Sequence, residues 1–228
     1  MNPILAGDFG SDSHGECGVP VSHRFRSPSN GNGVFWYSFD SGAVHVVMLS
    51  SEHDLAPGSP QHVWLSNDLA GADFPGQRAK APWIVVTTHR MVYAVTAVGG
   101  EGRTTEGIRA NIEPLLRRFR VNLVLSGHQH SYERTCAAYG GRCLPPGSAG
   151  GTVFIVAGTG GAGLYKYPPG TSPTGNYTVE ATSRWGYLRV AANASRLRVA
   201  FVDNLSGGEW DEVVLRPWER GHAPEPSY

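Results

Sequence analysis

Apolar residues in the first half of the chain gather into short, nearly continuous runs, separated by turn residues and by two stretches with helical periodicity. Phe35-Trp36-Tyr37-Ser38-Phe39 is an aromatic run suited to a strand, and Ala43 to Leu49 follows as a buried strand. Ser59-Pro60 reads as a helix start, with Ser59 as N-cap and Pro60 at the first helical position. Val63, Leu65 and Leu69 supply that helix's apolar positions. Trp83 to Val86 is a short β-branched run. Thr105 to Phe119 is amphipathic, with Ile108, Ile112, Leu115, Leu116 and Phe119 on one face and Arg109, Arg117 and Arg118 off it. Val121 to Leu125 is apolar again. Strand, helix, strand, helix, strand in this order predicts an α/β sheet with crossover helices.

Beyond Cys143 the pattern changes. Thr152 to Val156, Gly186 to Ala191, Leu197 to Val202 and Glu212 to Leu215 read as strands with no helix between them, separated by Gly/Pro/Ser-rich loops. The chain has 228 residues with 30 Gly and 16 Pro, which favours sheets and shaped loops over a helical bundle. Lys plus Arg equals Asp plus Glu at 19 each. That balance argues against a bulk electrostatic role on nucleic acid or an anionic membrane. No stretch approaches the roughly 20 apolar residues of a membrane span.

Three cysteines, Cys17, Cys136 and Cys143, form no zinc-knuckle spacing. Cys136 and Cys143 flank a short Gly-containing loop and suit either a small disulfide or two separate thiols. Asn176, Asn193 and Asn204 each open an N-glycosylation sequon, which tilts the reading towards a secretory route. Met1 to Gly7 shows no basic or apolar leader region, so no signal peptide is expected in this chain.

In an open α/β sheet, functional groups gather at the carboxyl ends of strands. Two strand ends here carry histidines. Val86-Thr87-Thr88 leads into His89-Arg90, and Leu125-Ser126-Gly127 leads into His128-Gln129-His130. Glycine lets the backbone turn sharply, and two imidazoles one residue apart in a loop can reach neighbouring metal ions. His89, His128 and His130 are therefore the candidate metal ligands. His14, His23, His45, His53, His62 and His222 read as ordinary structural or surface residues.

The segment Gly127-His128-Gln129-His130-Ser131-Tyr132-Glu133-Arg134-Thr135 resembles the Gly-His-x-His-x-Tyr-Glu-Arg-Thr stretch of the purple acid phosphatases, within the calcineurin-like metallophosphoesterases. Val86 to Arg90 is similar to that family's Val-x-x-His-Arg motif. Gly15 to Pro20, Trp36 to Asp40, Ser51 to Asp54 with Pro57 to Pro60, Gly158 to Gly163 and Gly186-Tyr187 extend the likeness over nearly the whole chain. The resemblance implies an α/β/β/α layered sandwich, incomplete at its N-terminal βαβ portion. It divides the chain into a partial catalytic domain at 1–143, a C-terminal β region of the same domain at 144–217, and a loose tail at 218–228.

The family's activity is hydrolysis of phosphomonoesters at a dinuclear centre, Fe with Zn, Mn or Fe, by metal-activated hydroxide. The resemblance places His89 and His128 on the divalent ion and His130 on the ferric one. It offers Arg90 to the substrate phosphate, with Glu133 and Arg134 bracing the loop. It also implies a secreted or vacuolar glycoprotein whose substrate is a phosphomonoester. The family's remaining ligands, a bridging Asp, a Tyr and an Asn, lie upstream of its Gly-Glu-Cys-Gly-Val-Pro segment and find no counterpart here. Gly7-Asp8 lacks the Tyr that the motif needs, and Asp8 reads as a turn residue. The resemblance therefore implies an acid phosphatase hydrolysing phosphomonoesters; the alternative is a chain that begins midway through a larger enzyme and is catalytically impaired, acting at most as a weak metal-binding or structural module.

Overall fold

The computed structural model describes residues 18–94, 101–145, 151–167 and 177–218. Its main sheet runs through β1 (Tyr37–Ser41), β2 (Val44–Met48), β3 (Trp83–Thr88), β4 (Leu123–Ser126), β5 (Tyr132–Tyr139), β6 (Arg142–Cys143), β7 (Thr152–Ala157) and β8 (Thr178–Thr182). The order across it is β1-β2-β3-β4-β7-β5-β6, with β8 also paired to β5. β2, β3, β4 and β7 are mutually parallel, as crossover connections require, while β1 and β5 are antiparallel to their neighbours.

The crossover helices are α2 (Pro60–Asp73) and α4 (Glu101–Arg118), preceded by the short α1 (Val19–Arg24), with the short α3 (Pro75–Lys80) following α2. Ser59 caps α2 as its sequence predicts, its hydroxyl accepting from His62 N, with Pro60 in the first turn. Of the three apolar positions assigned to α2, Leu65 and Leu69 are buried but Val63 faces solvent. Gln61 takes the fourth inward place instead. Its amide accepts from Ser50 N at 2.8 Å and donates to Ser50 O at 2.9 Å, so a polar residue enters the core fully paired. α4 buries Ile108, Ile112, Leu115 and Leu116 of its expected apolar face, and Phe119, just past its end, is buried with them.

The two faces of the main sheet build two cores. Val47, Ile84, Val86, Val124 and Phe154 pack against Leu65, Leu69, Ile108, Ile112 and Leu116 of the helices. On the other face, Trp83, Val85, Leu123, Tyr132, Val153 and Ile155 pack against Leu197, Val199 and Phe201. Those last residues belong to a second, three-stranded sheet, β9 (Gly186–Ala192), β10 (Leu197–Asp203) and β11 (Glu209–Leu215), ordered β11-β10-β9. Helices, mixed sheet and antiparallel sheet thus form successive layers. Trp83 Nε1 donates to Asn193 O at 2.6 Å across the sheet-to-sheet seam.

Candidate metal centre

β3 and β4 end side by side, Thr88 opposite Ser126, so the residues that follow them meet. Gly127 N donates to His89 O at 3.0 Å and ties the two loops together. His128 then adopts a left-handed backbone, φ 61°, a conformation that a non-glycine residue holds only at a cost of about 1–2 kcal/mol. The turn throws its ring back onto His89. His128 Nδ1 and His89 Nε2 lie 3.1 Å apart, with ring planes at 76°. Arg90 completes the group. Its Nε donates to Glu52 at 2.8 Å, its backbone N donates to Ser51 Oγ, and its NH1 stands 3.4 Å from His128 Nε2.

His130 points elsewhere. Its Nδ1 pairs with Gly163 O at 2.8 Å and its ring stacks on Tyr165, centroids 5.0 Å apart. A histidine whose Nδ1–H is held by a carbonyl presents Nε2 as its lone-pair nitrogen, the usual preparation of a metal ligand. The loop carrying His128 and His130 is braced from below. Gln129 is buried and donates to Glu133 at 2.6 Å, and Tyr167 donates to the same carboxylate at 3.1 Å. Burial, with the Glu133 charge alongside, pushes the Tyr167 hydroxyl well above its ordinary range and keeps it a donor. Gly158 lies so close that a Cβ there would come within 2.0 Å of Gln129 O. Only glycine lets the exit of β7 pass under the loop.

Immediately after the loop, Tyr132 and Arg134 both turn towards Asp211 of β11. Tyr132 OH donates to it at 2.6 Å, and Arg134 donates through Nε at 2.5 Å and NH2 at 2.8 Å. Burial works against the Asp211 charge, but the donors from Arg134 and Tyr132 outweigh it and hold the carboxyl below its usual range. The second sheet therefore anchors the strand that carries the histidine loop. Glu133 and Arg134 are the bracing residues that the resemblance suggests; Asp211, Gln129 and Tyr167 were not foreseen. Their signal is weak in sequence, since Asp211 lies 77 residues from Arg134 and Tyr167 lies 34 from Glu133.

The donor set decides how far a metal fits. Two nitrogens bound to one tetrahedral ion at about 2.0–2.1 Å sit roughly 3.3 Å apart. The His89–His128 separation suits a single shared ion. The dinuclear centre does not fit the described residues: among them, no group of three or more His, Cys, Asp or Glu converges to hold a metal. Neutral imidazoles supply no anion to offset a ferric and a divalent charge together.

Of the other residues singled out, Cys136 and Cys143 form a disulfide joining β5 to β6. Asn193 and Asn204 are exposed in the turns on either side of β10. Asn176, Asp8, Cys17, His14 and His222 lie outside the described residues. No helix among the described residues is long and apolar enough to cross a membrane.

Comparison with known proteins agrees with this layout. Residues 21–132 match the family model of calcineurin-like phosphoesterases, and residues 151–212 match that of the iron/zinc purple acid phosphatase-like protein C. A nucleotide pyrophosphatase/phosphodiesterase of Hordeum vulgare is 32% identical over 90% of this chain and 56% of its own length. Probable inactive purple acid phosphatase 9 of Arabidopsis thaliana is 32% identical over 91% of this chain and 34% of its own. The solved structure of a purple acid phosphatase from yellow lupin (Lupinus luteus) seeds superposes with TM-score 0.79 at 29% identity, covering 90% of this chain and 36% of that one. The chain thus spans about a third to a half of the length of the relatives it matches. With both family models laid over its two sheets and their order along the chain preserved, it belongs to the purple acid phosphatases of the calcineurin-like phosphoesterase family.

Proposed function

We propose that this chain serves phosphomonoester hydrolysis of the purple acid phosphatase kind and supplies the histidine half of the site. The observation that carries the reading is the meeting of His89, His128 and Arg90 at the carboxyl ends of two adjacent parallel strands. His89 and His128 would hold one divalent ion, while His130, oriented by Gly163 O, faces away from that pair. A metal bound there would supply Lewis-acid stabilisation of phosphoryl oxygens. Arg90, kept in place by Glu52, presents a guanidinium beside the pair and would hold a phosphate oxygen in a charge-assisted hydrogen bond. Fe paired with Zn, Mn or Fe is the cofactor that the family implies.

A second reading rests on the donor set. Among the described residues no group of three or more His, Cys, Asp or Glu converges, so by themselves they would keep at most one ion and hydrolyse feebly. Several similar plant proteins carry names such as "probable inactive purple acid phosphatase", and the same designation would then suit this chain. The disulfide and the exposed sequons at Asn193 and Asn204 favour an oxidising, secretory route ending outside the cell or in a vacuole. A glycan at either asparagine would show as a mass shift on enzymatic deglycosylation.

One experiment separates the two catalytic readings. The purified chain is dialysed with iron, zinc and manganese, analysed for bound metal, and assayed with p-nitrophenyl phosphate at acid pH. About two retained ions with turnover supports the hydrolase. Retention well below one ion, with no turnover, leaves the metal-poor relative.

A further inference from the structure

On β2, the strand between β3 and the edge strand β1, and away from the strand ends that carry the histidines, His45 lies buried between two carboxylates. Its Nδ1 is 2.7 Å from Asp40 Oδ1 on β1, and its Nε2 is 3.0 Å from Asp68 Oδ2 on α2. Both carboxylates are aimed at the ring by their other oxygens. Gln77 of α3 donates to Asp40 Oδ2 at 2.6 Å, and Ser38 Oγ donates to Asp68 Oδ1 at 2.5 Å. Asn30 in turn donates to Ser38 Oγ at 3.0 Å, which turns the hydroxyl proton towards Asp68. An ionised carboxylate only accepts, so two of them on one imidazole require both ring nitrogens to carry protons. Two ionised carboxylates on one ring therefore favour the imidazolium.

We propose that His45 is a proton-operated clamp: charged, it ties the β1–β2 hairpin to α2, and loss of its proton as pH rises releases that edge of the sheet. β1 is the terminal strand of the sheet among the described residues, and its other side-chain anchors here are the Ser38 hydroxyl on Asp68 and the Asn30 and Gln77 side chains. A neutral ring can donate to only one of the two carboxylates. The other is then left against a lone pair, so either the Asp40 contact within the hairpin or the Asp68 tie to α2 becomes repulsive. The cleft over the ring is lined by Asp40, Asp68 and Lys80, with Asn67 and Gln77, so water reaches the site directly. Those three are the charged groups that face His45 from β1, α2 and α3. Lys80 alone opposes the imidazolium, from the exposed end of α3.

The direction of titration agrees with the contacts. Burial works against the charged ring, but the hydrogen bonds from Asp68 and Asp40, with their charges, outweigh it and raise His45 above its ordinary value of 6.5. A group raised in the folded state contributes stability that is fully present below its unfolded value and is lost as pH climbs through its folded value. The clamp is therefore closed in an acidic compartment and opens towards neutral and alkaline pH.

The test follows the His45 ring by NMR in the full chain, together with amide exchange of β1 normalised to β4. The expected result is a titration above the ordinary histidine range and a several-fold gain in relative β1 exchange between pH 5 and pH 8.5. Asp40→Asn, at a largely exposed position, should keep the fold, lower the His45 titration and loosen β1 several-fold at pH 5. A His45 that titrates at or below its ordinary value overturns the proposal. So does a relative β1 exchange that is the same at both pH values. Neither readout depends on metal or phosphatase activity, so failure of the catalytic reading leaves this test intact.

Discussion

His45 and the His89–His128 pair stand on the same eight-stranded sheet, yet one ring is bracketed by two carboxylates while the other two face each other and an arginine. At the edge, each polar atom around the ring has a protein partner, and the result is a closed charge network that needs nothing else. At the strand ends, two imidazoles meet beside a guanidinium held by Glu52, no group of three or more metal-ligand side chains converges among the described residues, and the loop keeps a left-handed histidine. A site built for folding satisfies itself. The strand-end cluster instead keeps a left-handed backbone at His128, a strain of the kind found at functional sites. This contrast underlies the proposals of a structural role for His45 and a chemical one for His89 and His128.

The contrast can be broken most forcefully at Gly158. Gly158→Ala forces a methyl into the Gln129 carbonyl, so the loop must move, and we expect a loss of about 3 kcal/mol in urea unfolding. Zinc retention at the strand-end pair should fall with it, while His45 keeps its titration. Next in size is His45→Ala. At pH 5 it should cost about 2 kcal/mol, because two partly buried carboxylates lose their shared partner. As pH rises through the raised His45 value the wild-type ring loses its proton, so the gap between wild type and variant should shrink. A gap that stays constant with pH would mean that the ring packs but does not clamp.

Smaller effects sharpen the other side. Arg90→Lys retains the charge but loses the planar fork, and we expect inorganic phosphate to bind several-fold more weakly, about 1 kcal/mol, with metal content unchanged. Equal phosphate affinity in both proteins would remove Arg90 from the substrate role. Smallest of all, His128→Gly relieves the left-handed backbone and should leave stability unchanged or raise it by about 0.5 kcal/mol, while abolishing ion retention. A clear destabilisation would instead mark His128 as a packing residue.

Much of this was legible in the chain. The buried runs became strands β2, β3, β4 and β7 because parallel strands covered on both faces need continuous apolar side chains. The helix start at Ser59-Pro60 and the inward face of α4 also followed directly. β5 was read only as a motif, since Glu133 and Arg134 look like loop residues until Gln129, Tyr167 and Asp211 are brought to them. β8, α1 and α3 were not anticipated; they are short and carry little periodic pattern. α4 begins a turn earlier than its apolar residues suggest.

His45 was passed over as ordinary, although part of its setting was readable. Ser41 pairs with Val44 across the two-residue Gly42-Ala43 turn, with Gly42 at φ 56°, and that register puts Asp40 opposite His45. What no local pattern could supply was Asp68, which arrives from the helix 23 residues later. The relation of the three metal-candidate histidines was half visible. Strand ends predicted the meeting of His89 with His128, but the orientation of His130 depends on Gly163 and Tyr165, more than thirty residues away.

The seam between the two sheets has a consequence for anyone who would divide the molecule. Tyr132 and Arg134 reach across it to Asp211, and Trp83 reaches across it to Asn193. A cut in the stretch between β6 and β7 would leave the first piece with Trp83, Val85, Leu123 and Tyr132 stripped of cover, and the second with the mates of those residues. Neither piece is an autonomous module. Expressed apart, they should be recovered as aggregates; expressed together, they should reassemble as a nicked whole, because the apolar seam and the Asp211 bonds are the recognition surface each half carries for the other.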